Sequence, residues 1–174
     1  MTSILKVSTI QNTAGAAPTA ADLGLNVTGN VLQVKSLGIT TGASASTGSF
    51  TNLTSENITI TPLNANSKIL VLLHVEVSNS GGANNDNEVA YRIVRDISGG
   101  SSDVQIQLNH HRTYDYGASG VYQHTSGNWM VLDSPSTTSQ ITYKLQGRIV
   151  TYASAQILGI PSAGDCWTVM EIAG

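Results

Sequence analysis

Residues 68–78, Lys-Ile-Leu-Val-Leu-Leu-His-Val-Glu-Val-Ser, constrain the fold more than any other stretch of this chain. Side chains alternate across an extended strand, so Ile69, Val71, Leu73, Val75 and Val77 fall on one face. The other face carries Lys68, Leu70, Leu72, His74, Glu76 and Ser78, apolar in its first half and polar in its second. A strand that is apolar on both faces over part of its length is covered on both sides there. One face is therefore expected to meet the domain's own core. The other is expected to meet a second sheet, the N-terminal segment or a neighbouring subunit.

The partners of such a strand are more strands. Only 11 % of the 174 residues are charged, against ~25 % in an ordinary soluble domain. Ser, Thr, Asn, Gln and Gly take their place, which disfavours long helices and suits strands and turns. A hydrophobic content of 40 % is enough for the core of one domain with an extension. The net charge is −3 and no Lys/Arg cluster exists, Arg92 with Arg95 being the closest pair, which argues against phosphate-mediated nucleic-acid binding. No apolar run approaches the ~20 residues of a membrane helix, and the first residues lack the pattern of a secretion signal. Cys166 is the single cysteine, so no disulfide or cysteine zinc site forms within one chain, and it is expected as a small buried hydrophobe.

Taken in order, residues 2–11 hold Ile4, Leu5, Val7 and Ile10, a short apolar strand pattern. Such a strand joins its own sheet or adds to the edge of another, and the second is favoured because 12–21 is a small-residue linker. Between 25 and 39 apolar residues return around the turn signal Gly29-Asn30, and Phe50, Leu53, Ile58 and Ile60 follow. Residues 1–61 are expected to form an extended N-terminal arm and neck, wrapped with two further copies, and 62–174 a globular domain. In that domain Val89, Tyr91 and Ile93 share a face, as do Ile141, Tyr143 and Leu145; Val104, Ile106 and Leu108 alternate with polar residues. Cys166, Thr168, Met170 and Ile172 stand opposite Trp167, Val169 and Glu171, and 124–128 is expected as a turn. Clusters such as Ser98-Gly99-Gly100 and Ser134-Pro135-Ser136 separate seven or eight strands. The pattern predicts an all-β, antiparallel β-sandwich of jelly-roll type with a central last strand.

Two sets of phrases resemble a known group. Ser3-Ile4-Leu5-Lys6-Val7-Ser8-Thr9-Ile10-Gln11-Asn12-Thr13 resembles the opening "SILKVDTIQNT" of virion structural proteins from tailed bacteriophages, marine ones in particular. Asn66-Ser67-Lys68-Ile69-Leu70-Val71, Leu132-Asp133-Ser134-Pro135-Ser136-Thr137-Thr138 and Val169-Met170-Glu171-Ile172-Ala173-Gly174 resemble the terminal domain of phage fibre and tail proteins. The resemblance implies a tumour-necrosis-factor-like jelly roll, forming a homotrimer on the virion surface after assembly in the host cytoplasm. Ser8 stands where those proteins usually carry an acidic residue, so a salt bridge made there is not carried over. Only 14–65 separates the two motifs, too little for a long fibre. The expected function is a trimeric capsid decoration or short head fibre protein. The alternative is a tail fibre or tail-attached receptor-binding protein that recognises a host surface glycan or protein.

On this reading Ile4, Leu5, Val7 and Ile10 anchor the chain to a capsid or tail protein, and Leu70, Leu72 and His74 form the trimer interface. The stretch 110–122 is expected as a loop and holds three of the six tyrosines. Tyrosine offers large contact area with a polar tip, so His111, Tyr114, Tyr116 and Tyr122 are candidate receptor contacts, weighed against packing of the same tyrosines between subunits. His110 and His111, with His124 and Asp115, have metal-ligand types, but neighbours on a strand point to opposite faces; one histidine per subunit on a trimer axis is the sharper minority reading, and no metal is assigned. No Gly-x-Ser-x-Gly elbow or Gly-Lys-Ser/Thr loop occurs, and the carboxylates Asp96 and Asp103 have no recommending spacing. Neither catalysis nor a cofactor is expected.

Overall fold

A computed structural model describes residues 11, 14–17, 28–80, 86–114, 122–151, 156–158 and 164–174. Their strands are β1 (Val31–Gly38), β2 (Ala43–Ala45), β3 (Thr51–Asn52), β4 (Ile58–Ile60), β5 (Lys68–Ser80) and β6 (Asp86–Ile97). They continue with β7 (Val104–Tyr114), β8 (Tyr122–Asp133), β9 (Ile141–Thr151), β10 (Gln156–Leu158) and β11 (Cys166–Ile172). One sheet has the order β1-β11-β5-β8; the second has the order β3-β9-β6-β7, with β4 also on β9; β10 and β2 form a small flanking pair. Without the short β2, β3 and β10, the eight remaining strands run 1-8-3-6 in one sheet and 2-7-4-5 in the other. That interleaving, with every pairing antiparallel, is the jelly roll the alternation predicts. β11 lies between β1 and β5, central as expected.

The core follows from period-two alternation. Ile69, Val71, Leu73, Val75 and Val77 of β5 are all buried, and face Val89, Tyr91 and Ile93 of β6 and Ile141, Tyr143 and Leu145 of β9. Trp167 of β11 is fully buried, and its indole N–H donates to the Glu56 carbonyl at 3.0 Å. Two carboxylates inside the sandwich are partnered, as buried charge requires. Glu171 accepts from Gln33 Nε2 at 2.6 Å and from the Leu63 and Asn64 N–H groups at 2.8 and 3.3 Å. Asp133 joins the sheets by pairing with the Arg95 guanidinium and accepting the Tyr143 hydroxyl at 2.9 Å. Burial and the neighbouring Asp133 push the Tyr143 hydroxyl well above its ordinary pKa.

Several expectations change. Residues 31–60, expected as neck, supply β1, β3 and β4 of this sandwich and β2 of the flanking pair, and Ile39, Leu53, Ile58 and Ile60 are core. Their few apolar groups suffice because each adds to a face that β9 and β11 already offer. The expected turn at 124–128 lies inside β8, because twelve consecutive partners on β5 outweigh the weak strand preference of Gly127 and Asn128. Gly127 also leaves room for the Trp129 ring: a Cβ there would sit 3.0 Å from its Cζ2. The expected loop at 110–122 is strand up to Tyr114 and again from Tyr122. In β7, Gln107, Asn109 and His111 stand opposite the inward Ile93, Tyr91 and Val89, whereas Leu108 pairs with the outward Arg92 and is exposed. Cys166 is half-buried on an outer face instead of in the core.

A candidate assembly face

The outer surface of the β1-β11-β5-β8 sheet carries rows of side chains in strict register. Val34, Met170, Leu70 and Leu132 stand side by side across all four strands. Ser36, Thr168, Leu72 and Met130 form the next row, and Gly38, Cys166, His74 and Asn128 the row after it. Val31 and Ile172 extend the apolar region toward Lys68. Exposure reaches 54 % at Val31 and Val34, 51 % at Leu132 and 68 % at Met130. With ~4.8 Å between strands and ~6.7 Å between same-face rows, three rows on four strands span roughly 400 Å², part of it polar at Ser36, Thr168, His74 and Asn128; the largest apolar patch on a folded protein is of this order and is often functional.

The face changes character where the sequence of β5 does. Beyond Leu72 comes His74, whose Nδ1 lies 2.7 Å from Asn128 Oδ1, and then Glu76. A hollow of about 280 Å³ opens there among Leu72, His74, Asn128 and Met130. An apolar centre bounded by polar residues is the layout of a protein–protein contact.

The opposite outer surface is charged and internally paired. Lys144 binds Asp96 and lies 3.6 Å from Asp103, His110 Nδ1 is 2.5 Å from Glu88, and Arg92 and Arg148 sit 4.1 and 4.9 Å from the Phe50 ring centre. Burial pushes the Asp96 carboxyl up, but its hydrogen bonds from Lys144 and the Asp103 N–H win and hold it below the usual carboxylate range. Glu56, which ties two loops together, accepts hydroxyls from Thr41, Thr54 and Thr40 at 2.5, 2.5 and 2.7 Å, and these hold its carboxyl far below the ordinary value. Charges already satisfied within one chain leave little for a partner, so the apolar face is the surface with binding energy to offer.

The expected interface residues Leu70, Leu72 and His74 all lie on this face. Sequence reading missed Val31, Val34, Met130, Leu132, Met170 and Ile172; the alternation of Met170 and Ile172 against Trp167 and Val169 was the available signal. The anchoring residues Ile4, Leu5, Val7 and Ile10 lie outside the described residues, as do Asp115 and Tyr116. Tyr114 ends β7 opposite Asp86 and Tyr122 opens β8 opposite Ser80, both as backbone positions only. His111 turns inward beside Val89; burial lowers its pKa, and its Nδ1 is enclosed with no hydrogen-bond partner among the described residues. His110 points the other way, as strand geometry requires, and among the described residues no three His, Cys, Asp or Glu side chains gather as metal ligands.

No protein-family model and no curated protein matches this sequence. Among solved structures it is similar to infectious bursal disease virus, Gx strain, at 10 % identity and TM-score 0.37, covering 82 % of this chain and 33 % of that one. A VP2 subviral particle of the same virus gives 10 % identity and TM-score 0.36, covering 82 % and 33 %. A mutant VP2 protein of that virus gives 10 % and 0.39, covering 83 % and 33 %. The chain thus spans a third of the proteins it resembles, and at this identity and these scores the likeness decides nothing about its role.

Proposed function

We propose that this chain is a bacteriophage virion structural protein: a homotrimeric capsid decoration or short head fibre protein on the virion surface, working by assembly and not by catalysis. The observation that carries the reading is the apolar row Val34–Met170–Leu70–Leu132, open to solvent on a sandwich whose other face is charged and self-paired. Burying that row between subunits, with Leu72 and the His74–Asn128 pair beside it, gives the trimer its contact. The N-terminal phrase supports the virion part of the reading: Ile4, Leu5, Val7 and Ile10 dock on a capsid or tail protein by strand addition, three arms supplying avidity that one short strand lacks.

Quantitative mass spectrometry of purified virions, scaled to the major capsid protein, tests it. Scores to hundreds of copies per particle are expected. A handful in multiples of three would replace it by the tail-fibre reading, with Tyr114, Tyr116 and Tyr122 as host contacts. Absence from the particle would overturn both.

A further inference from the structure

We propose that β8 pairs edge to edge, antiparallel, with the β8 of a second copy. An exposed sheet edge offers unpaired N–H and C=O groups, and folded proteins normally block it with a short strand, a bulge, a charge or a proline. The other edges here carry such devices. β3 and β4 are two and three residues long. β1 has a register shift between Val31 and Gln33 and an exposed Lys35. β7 has a shift opposite Ile93/Val94, the Glu88-bound His110 and an exposed Arg112.

β8 has none of them before its last residue. It runs from Tyr122 to Asp133 against β5 in twelve unbroken register pairs. Its sequence, Tyr-Gln-His-Thr-Ser-Gly-Asn-Trp-Met-Val-Leu-Asp, contains no Lys, Arg, Glu or Pro, and its one formal charge, Asp133, is turned inward to Arg95. Among the described residues no strand pairs with it on the side away from β5. Left bare, such an edge is an aggregation site, which favours an occupant.

A second copy is the occupant the surface fits. The apolar face runs out over this edge, where Met130 and Leu132 are among its most exposed members, so pairing two β8 strands joins two apolar faces into one. An uncharged strand meets its own copy about a two-fold axis without like-charge repulsion. The resulting eight-stranded sheet is of ordinary size. The contact does not depend on the virion reading. It is two-fold, so it gives dimers by itself and joins trimers into sixes or an extended net where a three-fold contact also forms.

Native mass spectrometry and amide hydrogen exchange on the full chain, over a range of concentration, test the pairing. Even-numbered species are expected, with alternate amides of 125–133 exchanging roughly tenfold slower in them than in the dilute protein. Ser126 is exposed on β8. Ser126→Lys and Ser126→Glu are each expected to halve the assembly and remove that protection, and an equimolar mixture of the two variants to restore both. Only monomers and trimers at every concentration would overturn the proposal. So would edge protection that Ser126→Lys leaves intact, or that Ile4→Asp with Val7→Asp abolishes, the last making the N-terminal segment the occupant.

Discussion

Asp133 sits where the two sheets are tied, its carboxylate between Arg95 and the Tyr143 hydroxyl, with only 6 % of its side chain exposed. Replacing it by Asn keeps the shape and strands a buried guanidinium, a change that costs about 3 kcal/mol. The urea midpoint should fall accordingly, with the slope of the transition unchanged. Gly127 is constrained differently, by the Trp129 ring 3.0 Å from where a Cβ would stand. Gly127→Val must displace that ring, which packs 5.7 Å from Tyr91, and should cost about 1–3 kcal/mol, read as a lower Tm. His111 is a candidate receptor contact by residue type alone; its inward turn follows from pairing with Val89, a fact about register and not about residue type.

At the scale of elements, β5 governs both layers. Ile69, Val71, Leu73, Val75 and Val77 build the core and Leu70, Leu72 and His74 lie on the outer face, so one strand serves the core and, on the function proposed above, the subunit contact. Leu70→Glu combined with Leu132→Glu should therefore abolish the large species in sedimentation velocity while leaving the fold, and its far-UV circular dichroism, unchanged. Neither side chain is in the core, so unfolding of this variant would show instead that the face is structural. In β7 the alternation of Val104, Ile106 and Leu108 does not keep one face: Ile106 packs against the core, whereas Leu108 is exposed and Gln107, Asn109 and His111 stand opposite the inward residues of β6. A register shift opposite Ile93/Val94 breaks the phase of the strand, and a bulge leaves no mark in residue type.

The whole molecule loses stability on acidification by two routes. Burial lowers the pKa of His111, so the folded state resists a proton that the unfolded chain accepts near pH 6.5, and stability falls as pH drops below that value. Asp96, also held low, contributes stability that is present above the unfolded value near 3.9 and is lost as pH falls through its folded pKa. Guanidinium unfolding at stepped pH should show a first decline that His111→Gln removes and a second that Lys144→Met reduces, the remainder belonging to Glu56, whose hydroxyl partners also hold its carboxyl low. The sequence by itself determined that the protein is all-β, that Ile69, Val71, Leu73, Val75 and Val77 are core, and that Leu70 and Leu72 lie on the opposite face, because strand alternation is a local, period-two property. Only the tertiary structure decided that 31–60 belongs to the sandwich, that β8 runs unbroken through Gly127, and that Val34 and Leu132 complete the row begun by Leu70. Those facts depend on which strands become neighbours and in what register, and long-range pairing is set by the packing of the whole chain and not by any segment of it.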